Sequence, residues 1–213
     1  MGNSVTNQSA SEGKRALSKA ANRQAILDAA RGVFARLGVD STTVRDIIRE
    51  TDLAAGTFYN YFKSKDDVFE ALANESTTRF RPRLAEVRAK ATDFESYIRA
   101  AYRAYFEFLR DENIAAIESG APHMALIGVR IDTPEMQSVV EEIRADLESH
   151  FSPGDTQGVD TEYVTAAAVG IAREMGDYML KRRPVDVDGA TEFASGLFLT
   201  GMESFGMRVR TTP

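Results

Sequence analysis

The sequence predicts an all-α protein in which an N-terminal three-helix unit precedes a larger helical body. Three observations support this class. Apolar residues recur at three- and four-residue steps in one segment after another. No stretch alternates apolar and polar residues as a half-buried strand does. Pro122, Pro134, Ser152-Pro153-Gly154 and Arg183-Pro184 fall between the periodic segments and punctuate them.

Taken in order, residues 1–18 are small and polar without apolar periodicity and read as a disordered tail. A first helix over 21–37 follows, with Ala25, Ile26, Ala29, Ala30, Val33, Phe34 and Leu37 on one face and Gly38 in the usual stop position. Thr42 or Thr43 caps a second helix whose inner face is Val44, Ile47 and Ile48 and which ends near Thr51 and Asp52. A short third helix covers 55–61. Ser64 then caps a fourth, beginning Lys65-Asp66-Asp67-Val68, whose early acids suit the helix dipole. Further helical segments are expected over 94–110, 112–119, 134–150, 161–182 and 188–207. The organisation is a tail (1–18), a helix-turn-helix domain (19–66) and a second helical domain (67–213).

Composition narrows the chemistry. The 213 residues include no cysteine, which excludes disulfides, thiol nucleophiles and cysteine-based metal centres. No apolar run reaches the ~18 residues of a membrane span, and no signal-peptide core follows the polar N-terminus. The net charge is −6 but unevenly distributed. Residues 1–65 carry ten Lys or Arg against six Asp or Glu, a net +4, whereas residues 66–213 carry sixteen against twenty-six, a net −10. The acidic body would repel DNA, while the N-terminal end could approach it.

Two short helices joined by a tight turn and braced by a third form a helix-turn-helix, in which the second helix of the pair can lie in a major groove. Thr42 and Thr43 offer hydroxyl and backbone N–H groups at the start of the first helix of the pair. The second begins with the small residues Ala55 and Gly56, which allow close approach, and presents Thr57, Tyr59 and Asn60. Phe58 and Phe62, four apart, anchor its opposite face, and Lys63 and Lys65 stand beyond for phosphates.

The run Thr42-Thr43-Val44-Arg45-Asp46-Ile47, followed by Gly56-Thr57-Phe58-Tyr59-Asn60-Tyr61-Phe62-Lys63-Ser64-Lys65-Asp66, resembles the signature of tetracycline-repressor-type (TetR-type) regulators. The match covers residues 22–70. Two departures stand out: Ile48 replaces a usual alanine, and Thr51-Asp52-Leu53-Ala54 replaces the common Ala-Gly-Val-Ser turn. The second change asks a non-glycine residue, Asp52, to take the turn conformation, and Ala54 removes a helix cap. The resemblance implies DNA contacts from Thr42, Thr43, Arg45, Ala55, Gly56, Thr57, Tyr59, Asn60 and Lys65, with Arg45 alternatively pairing with Asp46 or Glu50. Lys14, Arg15 and Lys19 could add contacts from the tail.

The resemblance also implies an effector pocket among the middle helices and a homodimer built from the last two. Pocket candidates are Tyr102, Tyr105, Phe106, Leu109, His123, Met124, Ile127, Met136, Phe151, Glu174 and Tyr178, a set suited to an apolar or amphipathic ligand. Dimer candidates are Ala167, Ile171, Phe193, Leu197, Phe198, Gly201 and Phe205; Gly196 and Gly201 make sense if another helix passes close. Two subunits would form a four-helix bundle across a two-fold axis and bind a near-palindromic operator in double-stranded DNA. The expected protein is thus a cytoplasmic, ligand-responsive transcriptional regulator, not an enzyme, with no cofactor or metal. Repression is the family's usual mode, with activation or corepressor dependence as the alternative.

Two rival classes are weaker. An enzyme would have to work with His123 and His150, no cysteine, no Gly-x-Ser-x-Gly and no phosphate-binding glycine loop. The Asp186-x-Asp188-Gly189 sequence has its glycine in the wrong place for a calcium loop and reads as a helix-capping turn. A lipid-anchored signalling protein would rest on Met1-Gly2-Asn3-Ser4-Val5-Thr6, which fits a myristoylation pattern but lacks basic support nearby.

Overall fold

The computed structural model describes residues 4–122, 124, 133–150 and 160–204, and every regular element among them is a helix. These are α1 (Ser4–Leu37), α2 (Val44–Arg49), α3 (Ala55–Phe58), α4 (Lys65–Lys90), α5 (Phe94–Ser119), α6 (Pro134–Ser149), α7 (Thr161–Lys181) and α8 (Val187–Ser204). The chain divides into two compact units, residues 1–72 and 73–213. The division falls within α4, six residues beyond the expected boundary, because Val68, Phe69 and Leu72 are fully buried in the first unit.

In that first unit, Ile26, Leu27, Ala30, Val33 and Phe34 of α1 are buried against Ile47, Phe58, Phe62 and the start of α4. Phe34 and Phe69 meet edge to face at 5.5 Å, and the Arg23 guanidinium lies over the Phe62 ring at 5.4 Å. Gly38 ends α1 at φ 77°, with its N–H donating to the Phe34 carbonyl at 2.8 Å. The helix extends back to Ser4, which corrects the disordered tail expected over residues 1–18. Residues 4–18 contain no proline, so the helix nucleated downstream propagates into them even though their serines, Thr6, Asn7 and Gly13 are weak helix formers.

In the second unit, α5 is the central element and packs against both α7 and α8, while α6 packs on α7. Asp93 opens α5 through a reciprocal cap with Ser96, and Gly120 closes it at φ 69°. The segments expected separately over 94–110 and 112–119 form one continuous helix. Nothing in Arg110-Asp111-Glu112 breaks it, and Asp111 is held by Arg110 and Arg83. Thr133 caps α6, whose first residue is Pro134. Asp186 accepts the Gly189 N–H at 2.8 Å, the capping role read from the sequence. No helix among the described residues is long and apolar enough to cross a membrane.

Candidate nucleic-acid interface and the cavity of the helical body

Adjacent threonines open α2, and only one can cap it. Thr43 takes the extended N-cap conformation; its backbone N–H and hydroxyl both donate to Asp46, whose own N–H returns to the Thr43 hydroxyl. These bonds, the hydroxyl's foremost, hold the Asp46 carboxyl below the usual carboxylate range. Thr42 is 2% exposed, and its hydroxyl donates inward to the Gly38 carbonyl at 2.7 Å. That position removes Thr42 from the expected surface set.

The altered turn is built differently from the expectation. No non-glycine residue among those described has positive φ, so Asp52 does not take a left-handed conformation. Thr51 shapes the turn: its hydroxyl donates to the Ile48 carbonyl at 2.9 Å and accepts the Leu53 N–H at 3.2 Å. Ala54 occupies the N-cap of α3 with no side-chain cap, as read from the sequence. The third helix is shorter than the expected 55–61. It gives way after Phe58 to tight turns, with Asn60 and Tyr61 N–H groups bonded three residues back.

Phe58 and Phe62 are buried, and their burial turns the remaining residues of the segment outward. Ala55, Gly56, Asn60 and Tyr59 are exposed, the last at 62%, and Thr57 is half-buried. On α2, Arg45 is exposed and forms no ion pair among the described residues, because Glu50 is taken by Arg36 at 2.6 Å and Asp46 by Thr43. Arg49, one turn further along the same face, is equally exposed. It was absent from the expected set, although its four-residue spacing from Arg45 was visible in the sequence. Lys65 departs from expectation: its Nζ donates to the carbonyls of Val39 and Asp40 at 2.7 and 2.8 Å, fastening the start of α4 to the loop after α1.

Gly56 is sterically open. Its φ is not positive, and a Cβ built there would meet no atom within 4 Å. The fold therefore does not require a glycine at this point.

In the second unit, α4, α5, α6 and α7 line a partly open cavity of about 90 Å³ whose walls are almost wholly apolar side chains. Tyr102, Tyr105 and Met136 line it as expected, joined by Phe80, Ile98 and Val140, which the sequence reading did not single out. The Tyr102 hydroxyl donates to the Ala168 carbonyl at 3.2 Å. At Tyr97 the hydroxyl donates to Asp146 at 3.0 Å, and Arg88 Nε donates to the same carboxylate at 2.5 Å. Burial pushes the phenols of Tyr97, Tyr102 and Tyr105 well above their ordinary value, so all three stay protonated.

Several expected pocket residues lie elsewhere. Phe106 and Leu109 are buried core, and Leu109 packs under Gly176 where α7 crosses α5. Glu174 is exposed and paired with Arg173, and Tyr178 is exposed beneath the Arg182 guanidinium. Met124 donates its backbone N–H to Asn113 Oδ1 and does not line the cavity. His123, Ile127 and Phe151 lie outside the described residues.

Of the expected dimer residues, Ala167, Phe193 and Leu197 are exposed, while Ile171 packs partly on the core. Phe198 is a correction: it is 4% exposed and packs against Phe94 and Tyr102 of its own chain. Phe205 lies outside the described residues. A Cβ at Gly170, Gly196 or Gly201 would meet nothing within 4 Å, so none of the described helices of the same chain passes close there.

Residues 26–72 match the family model for bacterial regulatory proteins of the tetR family. The chain is 43% identical over 60 residues to an HTH-type transcriptional repressor of Mycobacterium tuberculosis, covering 28% of this chain and 32% of that one. It is 28% identical over 155 residues to the fatty acid metabolism regulator protein of Bacillus subtilis, covering 70% of this chain and 75% of the relative. The chain thus spans between about a third and three quarters of the length of these relatives. Among solved structures, the fatty acid degradation regulator FadR of Bacillus halodurans superposes with a TM-score of 0.62 at 22% identity, covering 88% of this chain and 97% of that one. FadR of Bacillus subtilis in complex with stearoyl-CoA gives 0.60 at 19% identity, covering 84% and 98%. At these identities the structural likeness concerns the fold.

Proposed function

Because this chain belongs to the tetR family of bacterial regulatory proteins, we propose that it is a ligand-responsive transcriptional regulator that binds a near-palindromic operator as a homodimer. The observation carrying this reading is the outward set on α2 and α3: Thr43, Arg45, Gly56, Tyr59 and Asn60, held by the buried Phe58 and Phe62. Arg45 and Arg49 supply charge for phosphates, and the small residues opening α3 let its backbone reach base edges. Ala55, Thr57 and the tail lysines and arginine complete the proposed contact surface. Lys65 acts by positioning the start of α4.

Dimerisation is assigned to α7 and α8. Tyr163, Tyr178, Phe193 and Leu197 are all more than half exposed, and the open glycines Gly170, Gly196 and Gly201 sit on the same two helices. Such a surface suits a helical partner. The effector site is the cavity among α4–α7, and its lining suits a small apolar or amphipathic molecule. Effector binding weakens DNA binding by favouring a state in which the two recognition segments no longer match successive grooves. Repression in the cytoplasm follows as the working mode, consistent with the relatives' names.

A footprint on the DNA upstream of the protein's own gene tests the reading. Protection of two half-sites about one helical turn apart is expected, with affinity falling steeply with salt. Uniform, sequence-independent binding would overturn it.

A further inference from the structure

The cavity of the helical body is not uniformly apolar, and its one charged lining residue points to a ligand class. Arg173 of α7 is the single charged side chain among the described residues that line it. Its Nε donates to Glu174 at 3.1 Å, but its two terminal amino groups make no hydrogen bond to a described residue. Tyr105 of α5 lines the same cavity, is buried, and its hydroxyl makes no hydrogen bond to a described residue either, unlike those of Tyr97 and Tyr102. The two side chains line the same cavity from facing helices, α5 and α7.

The backbone fixes this pairing. Gly176, one turn beyond Arg173, lets α7 press onto α5: a Cβ there would lie 2.4 Å from Leu109 Cδ1 and 3.1 Å from Tyr105 Cε1. The acids in the vicinity are already engaged. Glu112 is held by Arg79 and by the Ser76 hydroxyl, and Asp177 by Lys181 at 2.5 Å. The site therefore combines an apolar chamber, a phenol donor with no hydrogen bond to a described residue, and a guanidinium that meets Glu174 through Nε alone. A carboxylate accepts from both donors at once.

Size sets the remainder. The chamber of about 90 Å³ is small and only partly enclosed, which suits a slim aliphatic tail entering end-on. We infer that the effector of this protein is a short-chain aliphatic monocarboxylate, its tail in the chamber and its carboxylate between Tyr105 Oη and the Arg173 guanidinium. This inference rests on the reading of the cavity as the effector site.

Calorimetric titration of the full chain with hexanoate, hexanamide and stearoyl-CoA tests both. Hexanoate is expected to bind at least roughly tenfold more tightly than hexanamide, the usual advantage of a charge-assisted pair. Arg173→Gln should abolish that preference and Tyr105→Phe reduce it, with operator binding of the ligand-free variants unchanged. Equal affinities for acid and amide, or a preference that survives Arg173→Gln, would overturn the inference. Binding of stearoyl-CoA without hexanoate would overturn it while leaving the effector cavity standing. Binding of none of the three, with operator binding intact, would remove the cavity reading as well.

Discussion

At the residue scale, function and stability pull in opposite directions at Gly56. The position is exposed, helical and sterically open, so alanine would fit without strain. Gly56→Ala is expected to stabilise the fold by about 0.5–1 kcal/mol, through a better helix former and a less flexible unfolded chain. The same methyl would keep the recognition segment from the base edges and weaken operator binding about tenfold, or ~1.4 kcal/mol. Paired denaturation and anisotropy titrations check this, and a stabilised variant with unchanged affinity would leave the glycine without a role. Thr42 and Lys65 illustrate the limit of residue-level reading. Both are polar and sit inside the family signature, yet both spend their donors on carbonyls around the end of α1. The Lys65 partners lie 25 and 26 residues away, a relationship set by tertiary packing and invisible to local spacing.

At the element scale, the crossing of α5 and α7 is the tightest feature of the helical body. Gly176 is buried and a methyl there collides with Leu109 and Tyr105. Gly176→Ala should cost about 1–3 kcal/mol, the range of an overpacked core, despite alanine being the better helix former. A thermal unfolding curve shifted upward would contradict this packing account. Helix existence was legible from the sequence almost throughout, because caps and apolar spacing act locally: Gly38, Thr43, Ser64 and Asp186 all mark ends or starts where read. The cavity was only half legible. Tyr102 and Tyr105 recur on one face of α5, but Phe80, Val140 and Arg173 come from three other helices whose juxtaposition no single periodicity encodes. Arg173 was hidden for a further reason, since a lone arginine beside a glutamate reads as an ordinary solvated pair.

At the scale of the whole molecule, the proposed near-palindromic operator calls for two recognition surfaces, and so for a second copy of the chain. Leu197 is 54% exposed on α8, in a face that no described helix covers. Leu197→Arg should shift the species in analytical ultracentrifugation from about twice the chain mass to 23.4 kDa, because a charge at the centre of an apolar interface cannot be paired. Operator affinity should fall with it as the second half-site contact is lost; a dimer that persists would move the interface elsewhere. The central claim, that the outward face of the short third helix grips operator DNA, is tested most directly by Tyr59→Ala. The side chain is largely solvated, so the variant should melt within about 1 kcal/mol of the parent and remain dimeric. Its anisotropy titration against the footprinted operator should show affinity reduced roughly 10- to 100-fold. A variant of unchanged stability and mass that binds the operator as tightly as the parent would contradict the account.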